Sequence, residues 1–350
     1  MSALAFVRPD IVRLAAYVPG EQPRDRRYIK LNTNENPYPP SPRVLDAVRA
    51  AVNADLRLYP DPMASALRSK AADVYGVAVD QILAGNGSDD LLTMIMRSCA
   101  DRGDRVVYPR PTYSLYETLV SIQGAQAVEV PFPQDFALPV ERLGEQGQKV
   151  TIICNPNAPS GTFTPVGVLD ELARKLRGLL VIDEAYVDFA GDTALSLVRR
   201  HENVVVLRTF SKSFALCGLR VGLAFGSPAV IATLAKVKDS YNVNRLGIVA
   251  AVAALDDHAW MLESVAKVRS TRQVLIEGLR QLGFQCLPSA ANFVLARRPG
   301  IDLKPLQGRL KDEGILVRHF ETPELRDALR ITVGTHEEVA ALLACESLRP

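Results

Sequence analysis

The segment that decides both the fold and the chemistry is RTFSKSFALCGLRVG, residues 208–222. It begins where an apolar run typical of a buried strand, Val204–Arg208, ends. A lysine amine that forms a Schiff base needs surroundings that favour its neutral form, and a phosphate group needs hydroxyl and guanidinium donors. Ser211 precedes Lys212, and Arg220 follows it eight residues later. A lysine on a turn is usually solvated, but this combination predicts a covalent lysine site beside a phosphate-binding site.

A second signal is the segment LLVIDEAYVDF, residues 179–189, in which Asp183 ends a run of four apolar residues. The pattern predicts a strand with a carboxylate at its carboxyl end, which is where open α/β sheets bind ligands. A buried carboxylate needs a partner. One interpretation is a bond to a protonated ring nitrogen of a cofactor. The other is that Asp183 caps a following helix.

Two turns follow other predicted strands. The segment ILAGNGSDDLLTMI, residues 82–95, runs from a strand through a Gly-Asn-Gly turn into a helix that begins near Ser88 and Asp89. Free backbone N–H groups at such a helix start can bind phosphate. The segment CNPNAPSG, residues 154–161, contains two closely spaced prolines that fix a non-helical backbone, with a cis bond possible. It is either a plain connection or a loop that places an amide near a ligand.

The wider pattern alternates short apolar strands with helical segments, which predicts a mostly parallel sheet covered on both faces. The predicted class is α/β, with a large domain over residues 41–245 and a smaller α+β domain over residues 246–350. Residues 1–40 are predicted to form an irregular arm that joins the small domain. Further strands are predicted at Ile82–Ala84, Arg105–Tyr108, Ala127–Val130, Val150–Cys154, Leu179–Asp183 and Val221–Phe225.

Composition excludes several other classes of protein. Hydrophobic residues make up 48% of the 350, which is enough for a large core. The net charge of +2 gives no support to nucleic-acid binding, and no apolar run is long enough to span a membrane. Five scattered cysteines predict reduced thiols, and four histidines show no metal-ligand spacing. The N-terminus does not resemble a signal peptide, so we expect a cytoplasmic protein.

The order of these signals along one chain resembles that of the fold-type I pyridoxal-phosphate (PLP) aminotransferases. Within that group the chain is most similar to the histidinol-phosphate aminotransferases, and the resemblance extends over nearly its whole length. The stretches that support it are LAAYVPG (14–20), KLNTNENP (30–37), LYPDP (58–62), YPRPTYSLYE (108–117), LRTFSKSFALCGLRVG (207–222), KVKDSYNVN (236–244), ANFVLAR (291–297) and LRITVGT (329–335).

The resemblance implies a role for each matching residue. Lys212 is implied to form the Schiff base with PLP and then to shuttle protons. Asp183 pairs with the pyridine nitrogen, Tyr186 hydrogen-bonds the phenolic oxygen of the ring, and Tyr113 stacks on its face. The residues implied to hold the cofactor phosphate are Gly87, Ser88, Asp89, Ser211 and Arg220, and Tyr59 is implied to reach across from the second subunit of a homodimer.

For the substrate, the resemblance implies that Arg330 binds an α-carboxylate or the equivalent part of an amino alcohol phosphate, and that Tyr17, Asn34 and Arg318 line the pocket. The sequence departs from the family at one position. The usual Asn-Asn-Pro reads Asn157-Ala158-Pro159, so alanine replaces the asparagine that contacts the ring oxygen. Asn157 takes over that contact only if the loop turns differently.

The implied activity is transfer of an amino group from histidinol phosphate to 2-oxoglutarate in histidine biosynthesis. Alternatives on the same scaffold are an aromatic amino acid (phenylalanine or tyrosine) aminotransferase and a threonine-phosphate decarboxylase. A different class, a ligand-sensing regulator with an aminotransferase-like domain, would need a DNA-binding domain. The roughly 40 residues before the core leave no room for a helix-turn-helix segment.

Overall fold

The computed structural model describes residues 6–14 and 20–349. In this part of the chain, the helices are α1 (Pro9–Arg13), α2 (Pro42–Ala51), α3 (Ser65–Tyr75), α4 (Ser88–Cys99), α5 (Leu115–Gln123), α6 (Val140–Gly144), α7 (Val166–Lys175), α8 (Pro228–Leu234), α9 (Arg245–Asp256), α10 (His258–Gln281), α11 (Lys304–Asp312) and α12 (His336–Ala344). Short 3-10 helices cover Ala54–Arg57, Val79–Gln81, Val187–Phe189, Ala194–Arg199, Cys217–Leu219, Pro323–Leu325 and Glu346–Leu348.

The strands are β1 (Ile29–Lys30), β2 (Ile82–Gly85), β3 (Arg105–Arg110), β4 (Gln126–Pro131), β5 (Val150–Cys154), β6 (Leu179–Asp183), β7 (Val204–Thr209), β8 (Gly222–Phe225), β9 (Gln285–Cys286), β10 (Phe293–Arg297), β11 (Ile315–Leu316), β12 (Arg318–His319) and β13 (Ala328–Thr332). Two of them, β5 and β6, have the bounds predicted from the sequence, because each is a continuous apolar run that ends at a polar or turn-forming segment.

The central sheet has seven strands in the order β2-β8-β7-β6-β5-β3-β4. The pairs from β7 to β4 are all parallel, and β8 is antiparallel to both of its neighbours. Every residue of β5, β7 and β8 is buried, as expected for strands covered on both faces. The predicted α/β class with a mostly parallel sheet is therefore confirmed.

One strand differs from its prediction. The segment Ala127–Val130 was expected to be a buried strand, but β4 lies at the edge of the sheet and only Val130 in it is buried. Edge strands commonly carry charged residues and proline, which discourage pairing with other chains. Glu129 and Pro131 are residues of this kind, and they distinguish β4 from the central strands.

The C-terminal part of the chain contains an antiparallel sheet in the order β12-β13-β10-β9, and α10 packs against β9 and β10. Strand β1 pairs with β11 in parallel, so the N-terminal segment is attached to the C-terminal part. The long helical stretch expected from residue 246 onwards is interrupted at Asp257, which separates α9 from α10. Helix α9 packs on α2 and α3, and the predicted division at residue 246 stays a prediction.

The described residues include no helix long and apolar enough to cross a membrane. Among the same residues, no group of three or more metal-ligating side chains comes together. All five cysteines are free thiols, in agreement with the reduced state expected from their spacing.

Candidate active site

A cavity of about 410 Å³ opens where β3, β5, β6 and β7 end. Its volume is within the range of small-molecule sites, and its position is that expected for a ligand of an α/β sheet. It brings together most of the residues that the sequence singled out, namely Asn34, Ser88, Asp89, Tyr113, Asp183, Tyr186, Ser211, Lys212, Arg220, Arg318 and Arg330.

Lys212 lies in the loop after β7, and its side chain enters the cavity. Burial, followed by the charge of Arg330, lowers the pKa of Lys212 to about 8. Its Nζ donates a hydrogen bond to the backbone oxygen of Thr33 at 3.4 Å and lies 5.6 Å from the centre of the Tyr186 ring. No carboxylate forms an ion pair with this amine among the described residues. Near neutral pH a minor fraction of the amine, roughly a tenth at pH 7, is therefore neutral and nucleophilic, far more than for an ordinary lysine.

We expect Lys212 in the cofactor-free protein to react with acetic anhydride along a titration curve centred near pH 8, because the cavity disfavours its charged form. Mass spectrometry of the Lys212 peptide after brief labelling across a pH series measures this midpoint. The same peptide labelled in denaturant is the control, with a midpoint near the ordinary value of 10.5. A midpoint near 10 in the folded protein would contradict the prediction.

Asp183 ends β6 and is 2% exposed. The Tyr116 hydroxyl donates to its Oδ2 at 2.7 Å, and the backbone N–H of Ala185 donates to its Oδ1 at 3.2 Å. Burial raises the pKa of Asp183 to about 6, and these two donors act in the opposite direction. The carboxylate makes no ion pair within the described part of the chain. The site therefore offers a buried negative charge whose cationic partner is to be supplied by a ligand.

Tyr186 accepts a hydrogen bond on its hydroxyl from Nδ2 of Asn34 at 3.0 Å. Asn34 has a φ of 57°, a left-handed conformation that is uncommon outside glycine. Thr332 and Asn292 hold it there: its N–H donates to Thr332 Oγ1 at 2.9 Å, and Asn292 Nδ2 donates to its carbonyl at 3.0 Å. Such conformations persist where the surroundings fix them, and they cluster at functional sites.

An anion-binding corner lies at the start of α4. The N-terminal turn of this helix presents Ser88 and Asp89 to the cavity. Arg220 donates to Ser211 Oγ at 3.2 Å and to Asp89 Oδ2 at 3.3 Å. Free N–H groups at a helix start, together with a guanidinium and hydroxyls, form a binding site for phosphate.

Close backbone packing holds this corner in place. A Cβ at Gly222 would lie 2.7 Å from the backbone of Gly87 and 2.8 Å from that of Ser88. Gly87, whose φ is 89°, does not line the cavity, but a Cβ there would lie 2.7 Å from Nη2 of Arg220. The glycines therefore allow β8, the turn and Arg220 to approach one another.

Tyr113 lines the cavity and meets Tyr116 edge to face, with ring centres 5.5 Å apart.

Arg318 and Arg330 lie opposite each other on the adjacent antiparallel strands β12 and β13. The guanidinium of Arg330 packs against Phe293 and Phe320, and that of Arg318 packs against Phe320. Two guanidiniums side by side on a rigid sheet provide a second site for an anion.

The structure does not bring every predicted residue to the cavity. The amide of Asn157 is used inside its own loop: it accepts from Thr112 Oγ1 at 2.9 Å and donates to Pro111 O at 3.1 Å and to Ser160 Oγ at 2.8 Å. Ala158 and Pro159 line the cavity instead. The bonds before Pro156 and Pro159 are both cis, the conformation that the sequence left open.

Two tyrosines remain. Tyr59 is 79% exposed and lies outside the cavity, where it stacks on Tyr241 with ring centres 4.4 Å apart. Tyr17 lies outside the described residues. Sequence reasoning missed Tyr116, the donor to Asp183, although its spacing of three from Tyr113 on a helical segment could have indicated it.

Sequence reasoning also missed Arg110. Its guanidinium pairs with Glu129 at 2.7 Å and with Glu324 at 3.1 Å, so it joins β3 to the segment before β13 at the edge of the cavity. No local pattern in the sequence marks this residue.

The sheet, the lysine amine, the buried aspartate and the phosphate-binding corner define a fold-type I transferase. The sequence pattern of the family described as Aminotransferase class I and II matches residues 26–345. The chain belongs to this aminotransferase family, as the resemblance predicted.

Several relatives are similar over nearly their full length. Histidinol-phosphate aminotransferase 1 of Trichormus variabilis (strain ATCC 29413 / PCC 7937) is 46% identical over 334 residues, covering 95% of each chain. Histidinol-phosphate aminotransferase of Geotalea uraniireducens (strain Rf4) is 47% identical over 344 residues, covering 98% of each. The crystal structure of histidinol-phosphate aminotransferase from Sinorhizobium meliloti in complex with pyridoxal-5'-phosphate superposes with a TM-score of 0.91 at 29% identity, covering 99% of this chain and 98% of that one.

Proposed function

We propose that this chain is a PLP-dependent aminotransferase that exchanges an amino group between histidinol phosphate and 2-oxoglutarate, in histidine biosynthesis. The observation that carries the proposal is a cavity with two separate cationic sites, Arg220 with Ser211 and Arg318 with Arg330, in addition to the amine of Lys212. One cationic site suits the phosphate of the cofactor and the other suits a phosphate on the substrate. The names of the relatives, at 46% and 47% identity, support the same substrate.

The residues present fit PLP. Asp183 is a buried carboxylate that has no cationic partner among the described residues and would accept from the pyridinium N–H. Ser88, Ser211 and Arg220 would hold the phosphate at the start of α4. When bound, the cofactor supplies an electron-withdrawing ring that stabilises negative charge on the substrate carbon.

The remaining roles follow from where each side chain lies. Lys212 would bind the cofactor covalently through Nζ, and the same nitrogen, once released, would take a proton from the substrate carbon and deliver it to a carbon of the cofactor. Tyr186, with its hydroxyl oriented by Asn34, would donate to the phenolic oxygen of the ring. Tyr113 would cover one face of the ring. Because the amide of Asn157 is used inside its loop, we assign it no ring contact.

Arg330 and Arg318 would bind the phosphate end of the substrate, and Asn34 lines the same cavity. The family resemblance alone assigns Tyr17 to the substrate pocket. We propose a homodimer in which Tyr59 completes the partner's site. Exposed apolar residues near Tyr59 support this assembly, namely Leu56, Leu58 and Tyr241, whose exposure is 44–48%. The expected location is the cytoplasm.

Substitution of Arg318 tests the substrate. We expect Arg318→Gln to lower kcat/KM for histidinol phosphate by roughly 10- to 150-fold, because a charged hydrogen bond contributes about 1.5–3 kcal/mol. For histidinol, which lacks the phosphate, the change should be less than about threefold by the same reasoning. Single-turnover decay of the cofactor absorbance with each amine measures both values.

Arg326→Gln is the matched control, because Arg326 is an exposed arginine that does not line the cavity, and its backbone oxygen lies 3.0 Å from Nε2 of His319, the residue after Arg318. Equal losses for both amines would argue against phosphate recognition by Arg318. If the unaltered protein reacts with phenylalanine and not with histidinol phosphate, it is an aromatic amino acid aminotransferase. Release of carbon dioxide from phosphothreonine would identify a decarboxylase.

A further inference from the structure

A buried ionic cluster lies behind the cavity. Its members are Glu184, Asp188, Arg208 and Ser213, here called the Arg208 cluster, and none of them lines the cavity. The guanidinium of Arg208 donates from Nη1 to Asp188 Oδ1 at 2.9 Å, and its Nη2 lies 3.3 Å from Glu184 Oε2. Ser213 donates its hydroxyl to the other oxygen of Asp188. The cluster thus joins two carboxylates and a hydroxyl through one guanidinium.

Each acceptor or hydroxyl in the Arg208 cluster lies within two residues of a candidate catalytic residue in the chain. Glu184 follows Asp183, Asp188 lies two residues after Tyr186, and Ser213 follows Lys212. These residues belong to three different segments: the end of β6, the 3-10 helix Val187–Phe189 and the loop after β7. Arg208, in β7, therefore ties together the segments that carry the amine, the ring-binding carboxylate and the phenol.

The cluster is rigid for physical reasons. Side chains of Arg208 and Glu184 are 10% and 0% exposed, so their bonds are shielded from water. Glu184 also accepts from the Thr193 hydroxyl at 2.7 Å and from the Ala194 N–H at 2.5 Å. The guanidinium covers the ring of Tyr75, 5.0 Å from its centre. It also donates from Nη2 to Thr193 Oγ1 at 2.9 Å. A planar guanidinium that binds these three acceptors and stacks on a ring has a single favourable orientation.

We propose that the Arg208 cluster is a positioning device that fixes Lys212 relative to Asp183 and Tyr186. The proposal rests on the aminotransferase function proposed above. It assigns no contact with cofactor or substrate to the cluster. Its members act through the candidate catalytic residues that adjoin them.

A second ionic cluster in the same molecule provides a matched control. Asp170, whose side chain is 6% exposed, binds Arg174, Arg200 and His201. This cluster joins α7 to the segment before β7 and does not line the cavity. Like the Arg208 cluster it centres on a buried ionised group, although Arg174 and Arg200 are 62% and 53% exposed, and no member adjoins a candidate catalytic residue.

The experiment compares Asp188→Asn with Asp170→Asn in the PLP-loaded protein. We expect Asp188→Asn to lower kcat roughly 10- to 100-fold with KM within about threefold, since displacement of a reacting group by about 1 Å costs on that order. The absorbance spectrum of the bound cofactor should change in the same variant. Asp170→Asn should lower the melting temperature comparably, with kcat and the spectrum unchanged.

Ser213→Ala is a milder variant that removes one hydrogen bond, and we expect it to lower kcat in the same direction by less. The proposal is overturned if Asp188→Asn and Ser213→Ala fold, lose melting temperature as Asp170→Asn does, and keep the unaltered kcat and spectrum. It is also overturned if Asp170→Asn shifts kcat and spectrum as strongly as Asp188→Asn. A failure of the aminotransferase function is distinguishable, because the unaltered PLP-loaded protein would then transfer no amino group from an amine substrate to 2-oxoglutarate.

Discussion

Replacement of Lys212 by alanine is expected to lower kcat/KM for the amine substrate by at least about 10⁴-fold, because this nitrogen both attaches the cofactor and moves the proton. The cavity offers no substitute base at that position among the described residues. The carboxylates that line the cavity are Asp183, which faces the ring nitrogen in our proposal, Asp89, which pairs with Arg220, Glu129, which pairs with Arg110, and the exposed Glu117. Single-turnover decay of the cofactor absorbance with histidinol phosphate measures the loss.

Lys212→Arg separates charge from nucleophilicity, since arginine is cationic but always protonated. It should be as inactive as Lys212→Ala. Borohydride reduction of the unaltered loaded protein, followed by peptide mass spectrometry, should place the cofactor on residue 212 and leave both variants unlabelled. If Lys212→Ala retains more than about a tenth of the activity, the loss is far smaller than that expected on removal of a base. Such a result would show that another group does this chemistry.

The site could be predicted from sequence wherever its residues stand next to strong local signals. Asp183 ends an apolar strand, Lys212 follows another, and Ser88 begins a helix after a glycine turn. Strands of a parallel sheet end at the same edge, so these residues meet without any knowledge of the loops. The apolar runs also predicted the bounds of β5 and β6 correctly.

The rest depends on contacts between residues far apart in sequence. The side-chain amide of Asn157 forms hydrogen bonds with Thr112 and Ser160, so it is not available to a ligand. Nothing in the segment CNPNAPSG predicts these bonds. Strand β4 carries enough apolar residues to be taken for a central strand, and only the sheet order places it at the edge. The bond from Tyr116 to Asp183 spans 67 residues and follows from the packing of α5 over the sheet.

Replacement of Asp183 by asparagine should lower kcat by roughly 10²- to 10⁴-fold, because removing one partner of a buried ion pair costs about 3–5 kcal/mol. Asparagine has nearly the same shape: its oxygen accepts from the Ala185 N–H, and its NH2 group donates to the Tyr116 hydroxyl oxygen in place of the carboxylate that accepted from it. The ring nitrogen would lose the charge that keeps it protonated. Tyr116→Phe is the control: it removes the bond of 2.7 Å but keeps the carboxylate, so its loss of kcat should be much smaller.

Asp183→Asn should lower activity but raise the stability of the cofactor-free protein. Burial raises the pKa of Asp183 from 3.8 to about 6, so the folded state binds the proton more tightly than the unfolded chain does. The stability from this proton is present below pH 3.8 and is lost as the pH rises through about 6. We therefore compare the free energy of unfolding of Asp183→Asn with that of the unaltered protein. The variant's advantage at pH 8 should exceed its advantage at low pH by up to about 3 kcal/mol. Urea unfolding of both cofactor-free proteins at pH 4 and pH 8 measures this change. If the two proteins differ in free energy of unfolding by the same amount at both pH values, the ionised carboxylate does not destabilise the cofactor-free protein. The cavity would then not require the cation that we assign to it.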